Sequence, residues 1–302
     1  MEKEFKSGFV AIIGRPNVGK STFVNQILGE KISIISNKPQ TTRNRIHGIY
    51  TGESEQIIFI DTPGIHKPHH ELGSFMNKEA LATLKDVDII LYIVSANETF
   101  GRGDEFVISE LRKVKTPVIL AFNKIDLIKD KSALMANVIK FTEAYVFKEV
   151  FYISALNGEN TDKVLSEISA SLEPGPMYYP KEQKSNYPEK FIIAEIIREK
   201  VLTLTKEEVP HSVAVFVEEM KTDEDNPNLL NIRAVIYVER TSQKKIIIGS
   251  GGQMIKKIGS LARREIVMLL GQKIYLDLWV KVEEDWRNRK AVLKRLGFIL
   301  EN

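Results

Sequence analysis

The segment Gly14-Arg15-Pro16-Asn17-Val18-Gly19-Lys20-Ser21 limits the fold of this chain more than any other stretch. It has the spacing G-x-x-x-x-G-K-[ST]. An apolar run suited to a buried strand, residues 8–13, precedes it, and a helix-like run, residues 22–28, follows. Strand, glycine turn and helix in that order aim successive backbone N–H groups at a phosphate, where the helix dipole also favours negative charge. Lys20 would then reach the outer phosphates and the Ser21 hydroxyl would bind magnesium. The expected nucleotide contacts along this stretch are Gly14, Asn17, Val18, Gly19, Lys20, Ser21 and Thr22.

A chain of 302 residues has room for about two domains with cores of their own. Its 43% hydrophobic and 27% charged residues exclude wholesale disorder. There is no cysteine, so disulfides and thiolate metal sites are excluded, which fits a reducing compartment. Residues 1–7 carry no apolar run of signal-peptide length, and no uninterrupted apolar segment is long enough to span a bilayer; a cytoplasmic protein is expected. A net charge of +3 is too small to argue for a polyanionic partner, so that argument must come from where the basic residues sit.

After the first helix, residues 31–43 read as a long loop, and residues 45–50 and 56–60 as two strands of a hairpin. The second strand ends at Asp61-Thr62-Pro63-Gly64, where an acid suits an outer-shell magnesium ligand and a glycine N–H can approach a terminal phosphate. Apolar runs at 87–94, 118–122 and 150–153 alternate with helical stretches near 71–85, 103–114, 132–147 and 160–172. That alternation predicts a mainly parallel sheet covered by helices on both faces, with ligands at the carboxyl ends of its strands.

Asn123-Lys124-Ile125-Asp126 directly follows one of these strands. A carboxylate at Asp126 can accept from the N1–H and 2-amino group of guanine, whereas adenine offers no donor at either place. Asn123 can bond the base or brace neighbouring loops, and the Lys124 stem can lie along the ring. Backbone N–H groups of Ser154-Ala155-Leu156, after the last strand, are expected to reach the guanine carbonyl.

Residues 8–172 resemble the translation-factor-related branch of small GTPases. The resemblance implies that Gln40-Thr41-Thr42-Arg43 lies in the first switch, with Thr42, or else Thr41, binding magnesium beside Ser21 and Asp61. It places a second switch from Asp61 through Gly64 to His70, and Lys20, Thr42 and Gly64 at the catalytic centre. Where Ras-like enzymes carry a water-orienting glutamine, this chain has Ile65, so slow intrinsic hydrolysis is expected. In related GTPases an asparagine at the place of Asn17 helps hold a monovalent cation, which implies potassium beside GTP or GDP and Mg2+. His66, His69 and His70 have no acid in ligand spacing and are read as a polar loop.

Residues 173–188, with four prolines, read as a partly extended, stiff boundary. A helix is expected over 191–202, then strands over 212–217 and 231–238. Next comes Ile246-Ile247-Ile248-Gly249-Ser250-Gly251-Gly252, leading into a helix with apolar residues at 254, 255 and 258. This G-x-x-G resembles the loop of a KH domain, in which nucleic-acid backbone approaches the helix junction and an apolar groove takes about four bases. Lys244, Lys245, Lys256, Lys257, Arg263 and Arg264 are the charged residues between 244 and 264, all basic; Ile248 to Gly252 with the first five of these form the expected RNA-binding set. KH loops commonly carry a basic residue between the glycines, whereas this one has Ser250-Gly251. A strand over 273–282 and a terminal helix from about Asp285 complete the chain, with Trp286, Arg287, Arg289, Lys290, Lys294 and Arg295 crowding that helix as a second RNA surface or a basic cap.

The fold class is therefore α/β, a P-loop GTPase domain with a mainly parallel sheet (residues 1–173), a linker (174–190) and an α+β KH domain of type II (191–302). In that order, and with Val280-Lys281-Val282 followed by Asp285-Trp286-Arg287, the chain resembles the bacterial ribosome-assembly GTPases. The resemblance implies a monomer that binds the 3′ end of 16S rRNA, acts in 30S subunit maturation and associates loosely with the membrane. The competing readings are a kinase-like enzyme acting on a small acceptor, which Asp126 argues against, and a passive RNA chaperone whose nucleotide only stabilises the fold.

Overall fold

The computed structural model describes residues 4–36, 38, 41–65 and 70–298, so Gln40, His66 and His69 lie outside the described residues. The chain forms two compact units that divide between Asn186 and Tyr187. In the first, the strands are β1 (Lys6–Ile13), β2 (Ile46–Thr51), β3 (Glu55–Asp61), β4 (Ile89–Ser95), β5 (Val118–Asn123) and β6 (Glu149–Ile153). They lie in the order β2-β3-β1-β4-β5-β6, with β2 antiparallel to β3 and the other pairs parallel. The helices of this unit are α1 (Lys20–Leu28), α2 (Glu71–Thr83), α3 (Arg102–Leu111), α4 (Lys131–Ala144) and α5 (Thr161–Ser171).

Period-two alternation explains why the central strands read as unbroken apolar runs. Val10, Ile12, Ile89, Leu91 and Ile93 face a core completed by Phe23 and Val24 of α1 and Val164 and Ile168 of α5. Their neighbours Ala11, Ile13, Ile90, Tyr92 and Val94 face the opposite core, completed by Val107 and Leu111 of α3 and Phe141 of α4. A strand buried on both faces has no polar side to show. The parallel order then brings the ends of β1, β3, β5 and β6, and the motifs that follow them, to one edge of the sheet.

The proline-rich stretch 173–188 lies largely against this unit. Lys6 bridges to Pro174, and the Ile49 N–H donates to the Lys184 carbonyl at 2.9 Å. The buried Gln56 side chain accepts from the N–H groups of Tyr178 (2.8 Å) and Tyr179 (2.9 Å) and donates to the Tyr179 carbonyl at 2.8 Å. An extended, proline-punctuated backbone has free donors and acceptors, and here they meet the edge strand β2 and the buried amide.

The second unit contains α6 (Glu189–Leu204), β7 (Ala214–Thr222), β8 (Leu229–Val238), α7 (Thr241–Ile248), α8 (Gln253–Leu270), β9 (Lys273–Val282) and α9 (Lys290–Arg295). In the sheet β7-β8-β9, β7 is antiparallel and β9 parallel to β8. The α7–α8 pair makes the crossover that a parallel connection requires. Ile258, Ala262 and Ile266, one helical stripe of α8, pack with Ile193, Ile197 and Val201 of α6 on one face of the sheet.

The carboxyl end differs from the expected basic helix. Asp285 adopts φ 52°, residues Trp286–Asn288 form a 3-10 turn, and α9 is short. Trp286 is buried and its indole N–H donates to the Ser212 carbonyl at 2.9 Å. Arg287 grips Glu239 with two hydrogen bonds, at 3.0 and 2.5 Å, while Arg289 and Arg295 share Glu283 at 2.6 and 2.7 Å. Three of these cations are thus paired with carboxylates within the unit, as a cap would pair them rather than an RNA surface.

Candidate guanine-nucleotide site and RNA surface

Gly14 (φ 150°), Asn17 (φ 64°) and Gly19 (φ 101°) bend the β1–α1 connection, and Gly19 stands immediately before the first helical residue. Packing demands glycine at both ends of the loop. A Cβ at Gly14 would sit 2.2 Å from the Ile93 carbonyl oxygen, and one at Gly19 would sit 2.2 Å from Asn123 Nδ2. Val18 is buried, Asn17 is exposed at the crest, and Thr22 is half-buried in the first turn of α1.

Lys20 is 6% exposed and its ammonium donates to the carbonyls of Gly14 (3.2 Å) and Arg15 (3.0 Å). Burial pulls its pKa down to about 8, against the opposing influence of the Asp61 carboxylate. A cation held at such cost favours an anionic ligand that restores its charge.

Ser21 Oγ lies 2.9 Å from Thr42 Oγ1 and donates to Asp61 Oδ2 at 2.7 Å, with Thr42 Oγ1 at 3.4 Å from the same oxygen. Of the two adjacent threonines, it is Thr42 whose hydroxyl meets Ser21 and Asp61. Asp61 is wholly buried; burial raises its pKa, while Lys20, Ser21 and Thr42 pull it back down. Its second oxygen, Oδ1, is buried without a hydrogen-bond partner. Two hydroxyls, a buried carboxylate and an orphaned oxygen, all hard donors, suit a magnesium ion with water in its shell.

Gly64 earns its place by contact: a Cβ there would lie 2.8 Å from both Cα and N of Pro16. The next residue donates its N–H to the Gly14 carbonyl at 3.2 Å, and the Ile65 side chain is buried in the core. Ile65 therefore cannot reach a water molecule at the phosphate. His66 and His69 fall outside the described residues.

Asn123 ends β5 as a brace. Its Nδ2 donates to the Val18 carbonyl at 2.8 Å, and its Oδ1 accepts from the Ala155 N–H at 2.9 Å. Of the two roles open to it in the sequence, the side chain here performs the second, tying the phosphate loop to the loop after β6. Lys124, at φ 68°, turns the chain so that Asp126 follows in the 3-10 turn Ile125–Leu127. The Ser154 hydroxyl donates to Asp126 Oδ1 at 2.5 Å. The Ser154 N–H instead pairs with the Glu159 carbonyl at 3.1 Å. Two of the three backbone donors expected to reach a base carbonyl are thus engaged within the protein, and Leu156 is largely exposed. The serine acts through its side chain, a contact invisible in Ser-Ala-Leu as a string.

In the second unit, α7 ends at Gly249 (φ 74°), and Gly251 (φ 56°) and Gly252 (φ 77°) carry the chain through a 3-10 turn into α8. A Cβ at Gly249 would meet Met254 Cβ at 2.7 Å, whereas one at Gly251 or Gly252 would meet nothing within 4 Å. Ile248 is half-buried against the core and Ser250 is exposed. Lys245, Lys256 and Lys257 are exposed and Lys244 partly so. Below the loop, a groove of about 640 Å³ runs between α8 and β9, lined by Ile255, Gly259, Leu276 and Leu278 with Lys256 and Arg263 on its rim. Arg263 also donates through Nε to the Ile274 carbonyl at 2.9 Å, so part of its donor capacity fixes α8 to β9.

Known proteins resemble this chain in both units. The 50S ribosome-binding GTPase family matches residues 9–124 and the KH domain family matches residues 208–287. A crystal structure of Aquifex aeolicus Era, a single-site variant bound to GDP·AlF4−, is 41% identical and covers 98% of this chain and 100% of its own, with a TM-score of 0.94. A structure of Era with MgGDPNP and nucleotides 1506–1542 of 16S ribosomal RNA gives the same identity and coverage, with a TM-score of 0.95. With 41% identity over nearly the whole length, and with a GTPase unit followed by a KH unit, the chain is a member of the Era family of GTPases.

Proposed function

We propose that this protein is a slow, magnesium-dependent GTPase whose nucleotide state governs how its KH unit holds the 3′ end of 16S rRNA during maturation of the 30S subunit. The observation that carries the reading is the coexistence of a complete guanine-nucleotide site with an open glycine loop flanked by exposed lysines. It is strengthened by the relative crystallised with a 16S rRNA fragment.

Lys20 supplies positive charge to the phosphates, Ser21 and Thr42 would hold magnesium directly, and Asp61 would accept from its water shell. Magnesium supplies charge neutralisation on the phosphate oxygens. Asp126, held in place by Ser154, selects guanine, and Asn123 keeps the phosphate and base loops in register. With Ile65 buried, no side chain at that position orients the attacking water, and intrinsic turnover is slow. Asn17, exposed in the loop, would help hold potassium beside the phosphates; equal turnover in potassium and sodium would remove that assignment.

Functionally the chain divides into a GTPase domain over 1–173, a linker over 174–190 and an RNA-binding domain over 191–302. It acts as a cytoplasmic monomer. Among the described residues no helix is long and apolar enough to cross a membrane. The test is RNA affinity measured in GTP and in GDP. Linkage requires unequal values if the nucleotide governs the grip, and equal values would favour a passive RNA chaperone.

A further inference from the structure

Arg15 stands inside the phosphate loop, yet its side chain leaves the nucleotide site. Its Nη1 reaches Asp104 Oδ2 at 3.2 Å and its Nη2 reaches Glu98 Oε2 at 3.1 Å. Asp104, 2% exposed in the first turn of α3, is itself fixed: Tyr92 donates its hydroxyl to Oδ1 at 2.9 Å and the Gly101 N–H donates to Oδ2 at 3.1 Å. Burial and the Asp104 carboxylate push the Tyr92 phenol well above its ordinary range, so it stays a donor. Gly103 leaves room for the arginine stem, since a Cβ there would lie 3.2 Å from Arg15 Cδ. The segment carrying Glu98 is tied down as well. The Glu98 carbonyl accepts from Asn137 Nδ2 at 2.8 Å, the Phe100 N–H donates to Asn137 Oδ1 at 2.8 Å, and the Ala96 N–H donates to the Asn123 carbonyl at 2.7 Å.

The main chain of the same arginine does a different task. The Arg15 carbonyl, with that of Gly14, receives the Lys20 ammonium, and its neighbour Pro16 is the surface on which Gly64 rests. A rotation of residue 15 would therefore move the lysine cradle and the seat of the D-x-x-G turn together. A charge-assisted hydrogen bond to the anchored Asp104, with an ion pair to Glu98, resists that rotation.

We propose that Arg15 is a positioning residue for the phosphate loop, clamped to Asp104 and Glu98, so that the first turn of α3 is a lever on nucleotide release. The inference rests on the GTPase reading above. The Arg15 guanidinium acts through the main chain of the loop that seats Lys20, so its effect is read first in how long nucleotide stays.

The experiment is stopped-flow release of fluorescent GDP from the full chain, with steady-state GTP turnover alongside. Arg15→Ala is expected to release GDP about tenfold faster, the loss of hydrogen bonds between charged groups being of that size. KM should rise in parallel and by a larger factor than kcat falls, the split that loss of ground-state binding produces. Arg15→Lys should recover part of the loss, and Glu98→Gln, at a partly exposed site, should give a smaller acceleration in a protein that folds. A core variant of α3, Leu111→Ala, controls for general loosening. Release from Arg15→Ala within twofold of the unaltered protein would overturn the proposal. So would equal acceleration by Leu111→Ala at a matched loss of melting temperature. Failure of the unaltered chain to bind GDP at all would instead strike the GTPase reading itself.

Discussion

The two glycine loops of this protein open helices in the same way and use glycine for opposite reasons. In the phosphate loop the missing Cβ atoms are missing because other atoms occupy their space: the Ile93 carbonyl against Gly14 and the Asn123 amide against Gly19. In the loop before α8, Gly251 and Gly252 face open space, and glycine is there for its left-handed φ and for access. The cations follow the same division, with Lys20 buried and Lys245, Lys256 and Lys257 exposed. A packed loop grips a small polyanion in one pose. An open loop lets a polymer slide in and be held by backbone and screened charge.

The sharpest way to break the comparison is to add one methyl group to each loop. Gly19→Ala must displace Asn123 and hold an L residue at φ 101°, so nucleotide affinity should fall about a thousandfold in a binding titration. Gly251→Ala meets no atom and bears only a strained φ, which costs about 1–2 kcal/mol, so RNA affinity should fall by no more than about tenfold. Similar losses at both positions would show that the loops are not built on different principles. Almost as large is the effect expected of Asp126→Asn, which exchanges an acceptor for an amide opposite the base. Preference should move towards xanthine nucleotides by about a thousandfold, since a mispaired buried polar group is penalised on that scale. Unchanged guanine affinity would remove Asp126 from the base site.

The same contrast explains what could be read from the amino-acid sequence. The phosphate loop, Asp61, Gly64, Asn123 and Asp126 announce themselves by spacing, because each motif follows a strand in a fixed order and the parallel sheet gathers those strand ends. The two cores were legible through the doubly buried strands. What was hidden are partnerships between residues far apart in the chain. Ser154 meets Asp126 through a hydroxyl, and Arg15 turns away from the phosphates to Asp104. The basic residues from Trp286 to Arg295 could be read as an RNA surface or as a cap, because local charge counting cannot see that Glu239 and Glu283 lie opposite the arginines. The docking of the proline-rich stretch depended on a single buried glutamine, Gln56, in a strand otherwise rich in isoleucine.

On the open side, Gly252→Asp places a carboxylate where nucleic-acid backbone must come close; its Cβ would meet no atom within 4 Å, at the cost of a strained φ of 77°. RNA affinity should fall about a hundredfold with GTP turnover intact, the loss combining charge repulsion with a blocked approach. Salt sharpens the test. If Lys244, Lys245, Lys256 and Lys257 meet phosphates of a single strand, the logarithm of RNA affinity should fall with that of salt with a slope near about −0.7 per contact. GTP affinity should respond more weakly, because Lys20 is out of reach of screening ions. A variant that still binds RNA, or equal salt slopes at the two sites, would remove the distinction.

The smallest effect, and the one that addresses burial most directly, is the pH dependence of nucleotide binding. In the nucleotide-free protein Lys20 is pulled down to about 8 by burial, so near pH 7 it is mostly charged and above 8 it increasingly is not. A phosphate at its side favours the charged form and raises the pKa, so binding takes up a proton wherever the free protein has lost one. The sign follows: affinity is flat below about pH 7 and falls as pH rises through 8, by at most about tenfold per unit, the limit for one linked proton. Lys20→Arg keeps its charge at every working pH and should flatten the curve, whatever its affinity. The exposed Lys245, Lys256 and Lys257 beside the KH loop have no such burial. Isothermal titration in buffers of different ionisation enthalpy reads the proton uptake directly. Parallel pH profiles for GTP and RNA would mean that the two loops hold their anions by the same means after all.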